Sequence, residues 1–342
     1  MPLQLSPTFR DRLAGADRSQ VGMWVCSGSP LVAEICAGSG LDWLLVDMEH
    51  SPNGLKGVLA QLQAVAPYPV TTVVRVPSND TVAIKQVLDL GAQNIIVPMV
   101  SDASQARSGA EAMLYPPHGR RGVGSALARS GRWNRVPDYL TDAAQHVSLY
   151  VQVESPQAVE NAAEMAAVEG VDGVFIGPSD LAATMGLLGQ QNHPDVKAAV
   201  HRTIEAVKST SKKVGVNAFD PAVAAEYREA GADFLLLGAD VVLLPAAARV
   251  LPPASACPAE LRSNHGLNPP RWLSLPTVAE PVEASQRAAT AGFTPRASRN
   301  WFMVRSLWSR AASSTSRAGA PLAINCRMFS CSSTEVSERS GT

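Results

Sequence analysis

A chain of 342 residues that is 46% hydrophobic, with a net charge of −1, can bury a sizeable core as one large domain or two ordinary ones, and offers no global attraction to nucleic acid or an anionic membrane. No apolar run approaches the ~20 residues of a membrane helix, and the start Met1-Pro2-Leu3-Gln4 lacks a signal-peptide pattern. Five scattered cysteines without metal-type spacing make a reducing cytoplasm the expected setting, with Cys26 and Cys36 as small core residues.

The first expected strand covers 21–26. Ser29-Pro30 then sets a capping side chain before a proline at the first helical position, and Gly38 and Gly40 end that helix. The second strand, 43–48, is the apolar run Trp43-Leu44-Leu45-Val46, which closes on Asp47-Met48-Glu49-His50. A short apolar run that stops abruptly in acids and a histidine reads as a buried parallel strand with a polar cluster where it emerges. The third strand, 70–76, ends similarly on Arg75. Asp80 caps a helix that Gly91 stops, and the fourth strand covers 94–98. A long excursion follows, beginning at Tyr115–Gly124 and running to about residue 146; segments of this length are usually functional or sit at subunit contacts.

The fifth strand, 147–153, runs into Glu154, and Ser155-Pro156 caps the next helix. The sixth, 173–176, runs into Gly177-Pro178-Ser179-Asp180. A seventh strand over 213–218 carries Asn217, Asp220-Pro221 opens another helix that Gly231 ends, and an eighth strand covers 233–238. Eight strands each followed by a helix in about 230 residues predict an α/β fold, a (β/α)8 TIM barrel over residues 1–251. A doubly wound open sheet is the alternative, but no Gly-x-Gly-x-x-Gly follows the first strand.

The strand ends carry the chemistry. Glu154 and Asp180 follow consecutive strands, so both project onto one face. Two carboxylates completed by waters and a bidentate substrate suit Mg²⁺ or Mn²⁺; the plainer alternatives are helix capping for Glu154 and N-terminal helix charge for Asp180. His50 is a candidate general base, with Asp47 three residues earlier placed to orient its imidazole. Arg75 suits a carboxylate or a developing oxyanion, the plainer reading being an ion pair with Asp47 across the barrel mouth. Gly177-Pro178-Ser179 begins a helix whose backbone N–H groups suit an anionic carboxylate. A metal, an arginine, a helix start and a base around one small anion form the set that enolate chemistry on a 2-oxo acid requires.

These motifs resemble the class II pyruvate aldolases of the HpcH/HpaI type, the 4-hydroxy-2-oxoheptanedioate aldolase family. The resemblance rests on Gly22-Met23-Trp24, Asp42–His50, Val74-Arg75-Val76-Pro77, Leu90-Gly91-Ala92, Val97–Val100, the Tyr115–Gly124 loop, Ala128-Arg129, Val151–Glu154 and Val171–Leu181. It runs from about Val21 to Asp240. It implies a barrel assembled as a homohexamer, trimers of dimers that exchange the last helix. It implies a divalent cation (Mg²⁺, Mn²⁺ or Co²⁺) on Glu154 and Asp180, and His50 acting as base with Asp47. It further implies Arg75 on the enolate, Gln152 and Gly177-Pro178-Ser179 in the pyruvate pocket, and Trp24 on its wall. The implied reaction is reversible cleavage of a 4-hydroxy-2-oxo acid to pyruvate and an aldehyde. Asn217 replaces an expected apolar residue, which bears on the aldehyde accepted. Past Gly238-Ala239-Asp240 the motif is no longer recognisable, so the eighth helix, which should dock on a neighbouring subunit, is expected to be replaced by Leu243–Val250 and the tail. A citramalyl- or malyl-CoA-type lyase and a non-catalytic barrel are the alternatives; the first lacks an adenine pocket in the short 77–101 and 177–200 stretches, the second conflicts with the intact polar set.

Residues 252–342 hold ten Arg and five Glu but no Lys, Asp or Tyr, leaving 19 basic and 25 acidic groups in the preceding chain. Ser, Arg, Ala and Pro without periodicity, and Trp272, Trp301 and Trp308 scattered among them, predict a disordered low-complexity tail. That composition raises the expectation that the tail is translated from GC-rich DNA in a non-native frame.

Overall fold

The computed structural model describes residues 3–249, and the expectation for the tail at 252–342 lies outside them. Eight strands, β1 (Gln20–Val25), β2 (Trp43–Asp47), β3 (Thr71–Arg75), β4 (Asn94–Val97), β5 (Ser148–Val153), β6 (Gly173–Ile176), β7 (Lys213–Asn217) and β8 (Phe234–Ala239), close into a barrel in chain order. Every neighbouring pair is parallel, including the closing pair β1–β8, which excludes the open doubly wound sheet. Each strand lies within one residue of its expected bounds.

Twelve α-helices accompany them: α1 (Phe9–Ala14), α2 (Pro30–Ala37), α3 (Leu55–Ala64), α4 (Thr81–Asp89), α5 (Ala103–Met113), α6 (Tyr139–Asp142), α7 (Pro156–Glu160), α8 (Ala162–Ala166), α9 (Pro178–Thr184), α10 (Pro194–Lys208), α11 (Pro221–Glu229) and α12 (Asp240–Arg249). The capping residues read from the sequence act as such: Ser29, Asp80, Ser155 and Asp220 each accept a first-turn N–H. Gly91 and Gly231 follow their helices at φ +92° and +102°, a region that penalises a side chain.

Three features correct the sequence reading. α1 was not expected; its Phe9 enters the bottom of the barrel, and Asn94 Oδ1 accepts the Phe9 N–H at 2.7 Å. The excursion before β5 is partly helical, with α6 and two short 3-10 turns. A helix does follow β8: α12 runs from Asp240 to Arg249 with Pro245 inside it and Val241–Leu244 exposed.

The barrel interior follows from strand parity. Alternate side chains point inward, so Trp43, Leu45 and Asp47 of β2 face the axis while Leu44 and Val46 face the helices. The lower interior is aromatic: Trp43, Tyr150, Phe175 and Phe234 pack with Phe9, most pairs tilted or edge-on at centroid separations of 5.1–6.4 Å. Glycines at inward positions make room: a Cβ on Gly22 would strike the Trp43 ring and one on Gly215 the Phe234 ring. Aliphatic outer faces of the strands meet the helices in a second, larger core.

Candidate active site

One step above the aromatic layer the inward positions turn polar. Parity puts Asp47 above Leu45, Arg75 above Val73, Gln152 and then Glu154 above Tyr150, and Asn217 above Gly215, all at the C-terminal strand ends where barrel sites form. Asp47 and Arg75 are register partners, so their side chains meet: Arg75 Nε donates to Asp47 Oδ1 at 2.8 Å. Arg75 Nη1 lies 2.9 Å from Glu49 Oε2, an ion pair without hydrogen-bond alignment. Nη2 has no partner among the described residues. Arg75 is 4% exposed, and its guanidinium carbon sits 4.3 Å from the centroid of the Trp24 ring. Trp24 Nε1–H in turn donates to Asn217 Oδ1 at 3.0 Å. The expected ion pair with Asp47 is therefore present, and it holds Arg75 with one edge unspent.

Asp47 does not orient the imidazole as expected. Its carboxylate accepts the main-chain N–H of Glu49 (3.0 Å) and of His50 (3.2 Å) and the Ser51 hydroxyl (3.0 Å), so it shapes the loop that carries His50. The imidazole is 64% exposed, with Nε2 3.9 Å from Glu49 Oε1. Burial would raise the Asp47 carboxyl, but the Arg75 hydrogen bond and charge outweigh it and hold it below its ordinary range. For Glu49 burial wins, aided by Asp47 and Asp180, and its carboxyl is raised despite Arg75.

Glu154 is 2% exposed. Its Oε1 accepts from Gln152 Nε2 at 2.6 Å and its Oε2 from the Met99 N–H at 2.8 Å. Met99 holds φ +54°, a left-handed conformation that costs a non-glycine residue and serves here to aim that N–H. Burial pushes the Glu154 carboxyl up to about 8 against the Met99 bond, with the charges of Asp180 and Glu49 adding to the rise. Gly177 is required beside it: a Cβ there would lie 2.8 Å from Glu154 Oε1 and 3.0 Å from Gln152 Nε2. Gln152 Oε1 is buried without a partner. Of the helix-start donors, the Gly177 N–H is spent on Val153 O and Pro178 has none, so Ser179 and Asp180 hold the available groups.

No group of three or more His, Cys, Asp or Glu side chains converges on a cation position among the described residues. The pair Glu154 and Asp180 nonetheless fits a cation: the Glu154 carboxyl is raised by burial first and by the charges of Asp180 and Glu49 next, with only Arg75 opposing as a positive neighbour. The pair's donors are all oxygens.

Sequence reading did not single out Glu49 as an arginine partner, Met99, or Asp240. Asp240 is 2% exposed and accepts the Cys26 and Ser27 N–H groups at 2.8 and 3.0 Å, tying the loop after β1 to the start of α12. An acid directly after the eighth strand was the available signal. A cavity of about 300 Å³ beside Asn217 was also unforeseen; it is lined by Pro178, Ser179, Asn192, Asp220 and Tyr227, whose buried hydroxyl has no partner.

Residues 20–247 match the sequence model of a family described as HpcH/HpaI aldolase/citrate lyase. The chain is 53% identical over 237 residues to a hydroxypyruvate/pyruvate aldolase of Deinococcus radiodurans, covering 68% of this chain and 85% of that one. It is 49% identical over 227 residues to a 4-hydroxy-2-oxo-heptane-1,7-dioate aldolase of Salmonella paratyphi B, covering 66% and 86%. Among solved structures, an HpcH/HpaI aldolase/citrate lyase family protein of Burkholderia cenocepacia superimposes with a TM-score of 0.68 at 38% identity, covering 74% of this chain and 98% of that one. The match extends past Asp240 to residue 247, so the family pattern includes most of α12.

Proposed function

The chain belongs to the HpcH/HpaI aldolase/citrate lyase family, as a carbon–carbon lyase, and from that premise we propose that it cleaves a 4-hydroxy-2-oxo acid reversibly to pyruvate and an aldehyde. The observation that carries this is Arg75, buried at the barrel mouth with two acids fixing Nε and Nη1 and with Nη2 unspent. A guanidinium fixed this way is ready for negative charge that develops during reaction.

Cleavage breaks the C3–C4 bond as the C4 hydroxyl loses its proton, and the bonding electrons move to the C2 oxygen as an enolate. A divalent cation held by Glu154 and Asp180 would polarise the 2-oxo group as a Lewis acid. Arg75 Nη2 stabilises the growing charge on that oxygen. The N–H groups of Ser179 and Asp180 receive the substrate carboxylate. Trp24, fixed by Asn217 and lying against Arg75, closes the apolar wall and excludes water from the guanidinium. His50, exposed on the loop that Asp47 shapes, takes the hydroxyl proton and delivers one to C3 of the enolate.

The cavity beside Asn217 offers Ser179, Asn192 and the Tyr227 hydroxyl together with the Asp220 carboxylate. That lining favours a neutral, hydroxylated aldehyde over an acidic one, since Asp220 repels a second carboxylate. The test is pyruvate release from a panel of neutral and acidic 4-hydroxy-2-oxo acids, with and without a chelator. Chelator-sensitive release, fastest with hydroxylated neutral substrates, is expected; no pyruvate from any of them overturns the reading.

A further inference from the structure

At the N-terminal end of the barrel, opposite the strand ends just described, lies a cavity of about 260 Å³. It is lined by the segment before α1, the starts of β3 and β4, and three arginines: Arg12, Arg129 and Arg132. No Asp or Glu lines it, and none of the three arginines forms an ion pair among the described residues. Arg129 and Arg132 each place Nη1 2.7 Å from the point where a Cβ of Gly91 would stand, so these two nitrogens are no more than twice that distance apart. Like charges so close repel, and the crowding lowers the proton affinity of Arg129, through burial first and the charge of Arg132 next.

The backbone holds this arrangement in place. Arg132, Trp133 and Asn134 occupy φ +51° to +60°, and three successive non-glycine residues in the left-handed region persist only where the surroundings dictate it. Arg129 Nη1 donates to Leu90 O and Arg132 Nη1 to Arg129 O, both at 2.8 Å. Each guanidinium has five N–H donors, so most of theirs remain unspent. Arg12 makes no side-chain hydrogen bond among the described residues.

We propose that this cavity binds a small multivalent oxyanion of the phosphate class. Converging guanidiniums with free planar edges match tetrahedral or planar oxyanions through charge-assisted, paired hydrogen bonds. A volume of about 260 Å³ is enough for such an ion. Gly91 is part of the design, because any side chain there would displace both guanidiniums.

Inorganic phosphate is the probe, titrated calorimetrically into full-length protein in phosphate-free buffer, with melting temperature followed in parallel. One saturable phosphate per chain and a rise in melting temperature are expected, neither reproduced by chloride at equal ionic strength. Arg132→Gln should weaken phosphate binding at least tenfold. Arg12→Gln breaks no hydrogen bond and should weaken it several-fold with aldol turnover unchanged. Absence of saturable binding, or equal binding in all three proteins, would overturn the proposal. A cluster occupied instead by a carboxylate of a second copy would refuse phosphate, and Arg132→Gln would alter the oligomeric mass; that result also overturns it.

Discussion

Two single residues decide how the site handles charge. Arg75 donates through Nε to Asp47 and pairs through Nη1 with Glu49, an arrangement that needs the planar fork of a guanidinium. Arg75→Lys is therefore expected to lose about 10²–10³ in kcat, close to the loss for Arg75→Ala and with little change in KM, because the missing contact belongs to the transition state. An unchanged kcat with a raised KM would assign Arg75 to substrate docking instead. Gly177 makes a different case. Alanine there brings a methyl to 2.8 Å from Glu154 Oε1, and the carboxylate must shift. Gly177→Ala should fold normally, with an unchanged circular dichroism spectrum, yet bind Mn²⁺ more weakly by about tenfold or more; retained affinity in a calorimetric titration would show that Glu154 has room to adjust. Both residues were visible in the sequence as strand-end features. What made Gly177 obligatory was not visible, since the clash involves a side chain 23 positions earlier.

At the scale of elements, the strands and helix starts were readable because their signals are local. An apolar run bounded by polar residues and a Ser or Asp before proline act within a few positions. α1 was missed because its six residues carry a periodicity too short to register, and its purpose lies 85 positions away at Asn94. Phe9 is 1% exposed and touches Trp43, Tyr150 and Phe234 at centroid distances of 5.1 to 5.4 Å. Phe9→Ala should cost about 3–5 kcal/mol, read as a lower midpoint in urea unfolding with an unaltered slope. A shift under about 1 kcal/mol, the size of an ordinary surface substitution, would mean that α1 merely lies against the barrel.

For the molecule as a whole, the opposed shifts of Glu154 and Asp47 predict a pH dependence. The Glu154 carboxyl rises from 4.5 to about 8, so between those values the native state keeps a proton that the unfolded chain has released. Stability must then fall as pH rises through that window, by up to about 1.4 kcal/mol per unit. Asp47 is lowered, so its contribution is present above the ordinary value of 3.8 and is lost as pH falls through its native one. In chelator, melting temperatures compared with those of Glu154→Gln should decline from pH 5 to 8, and added Mn²⁺ should restore more as pH rises. A difference between the two proteins that stays flat across that range would remove the case for a buried, protonated Glu154. The sequence by itself determined the barrel, its eight strands and the polar residues at their ends, because parity and capping are written in neighbouring residues. Only the tertiary structure decided that Asp47 serves the backbone of the His50 loop and not its ring. It also decided that Asn217 grips Trp24, and that Arg12, Arg129 and Arg132 meet across one cavity. Those outcomes depend on which strands and loops closure of the barrel makes neighbours, and no short window of sequence contains that information.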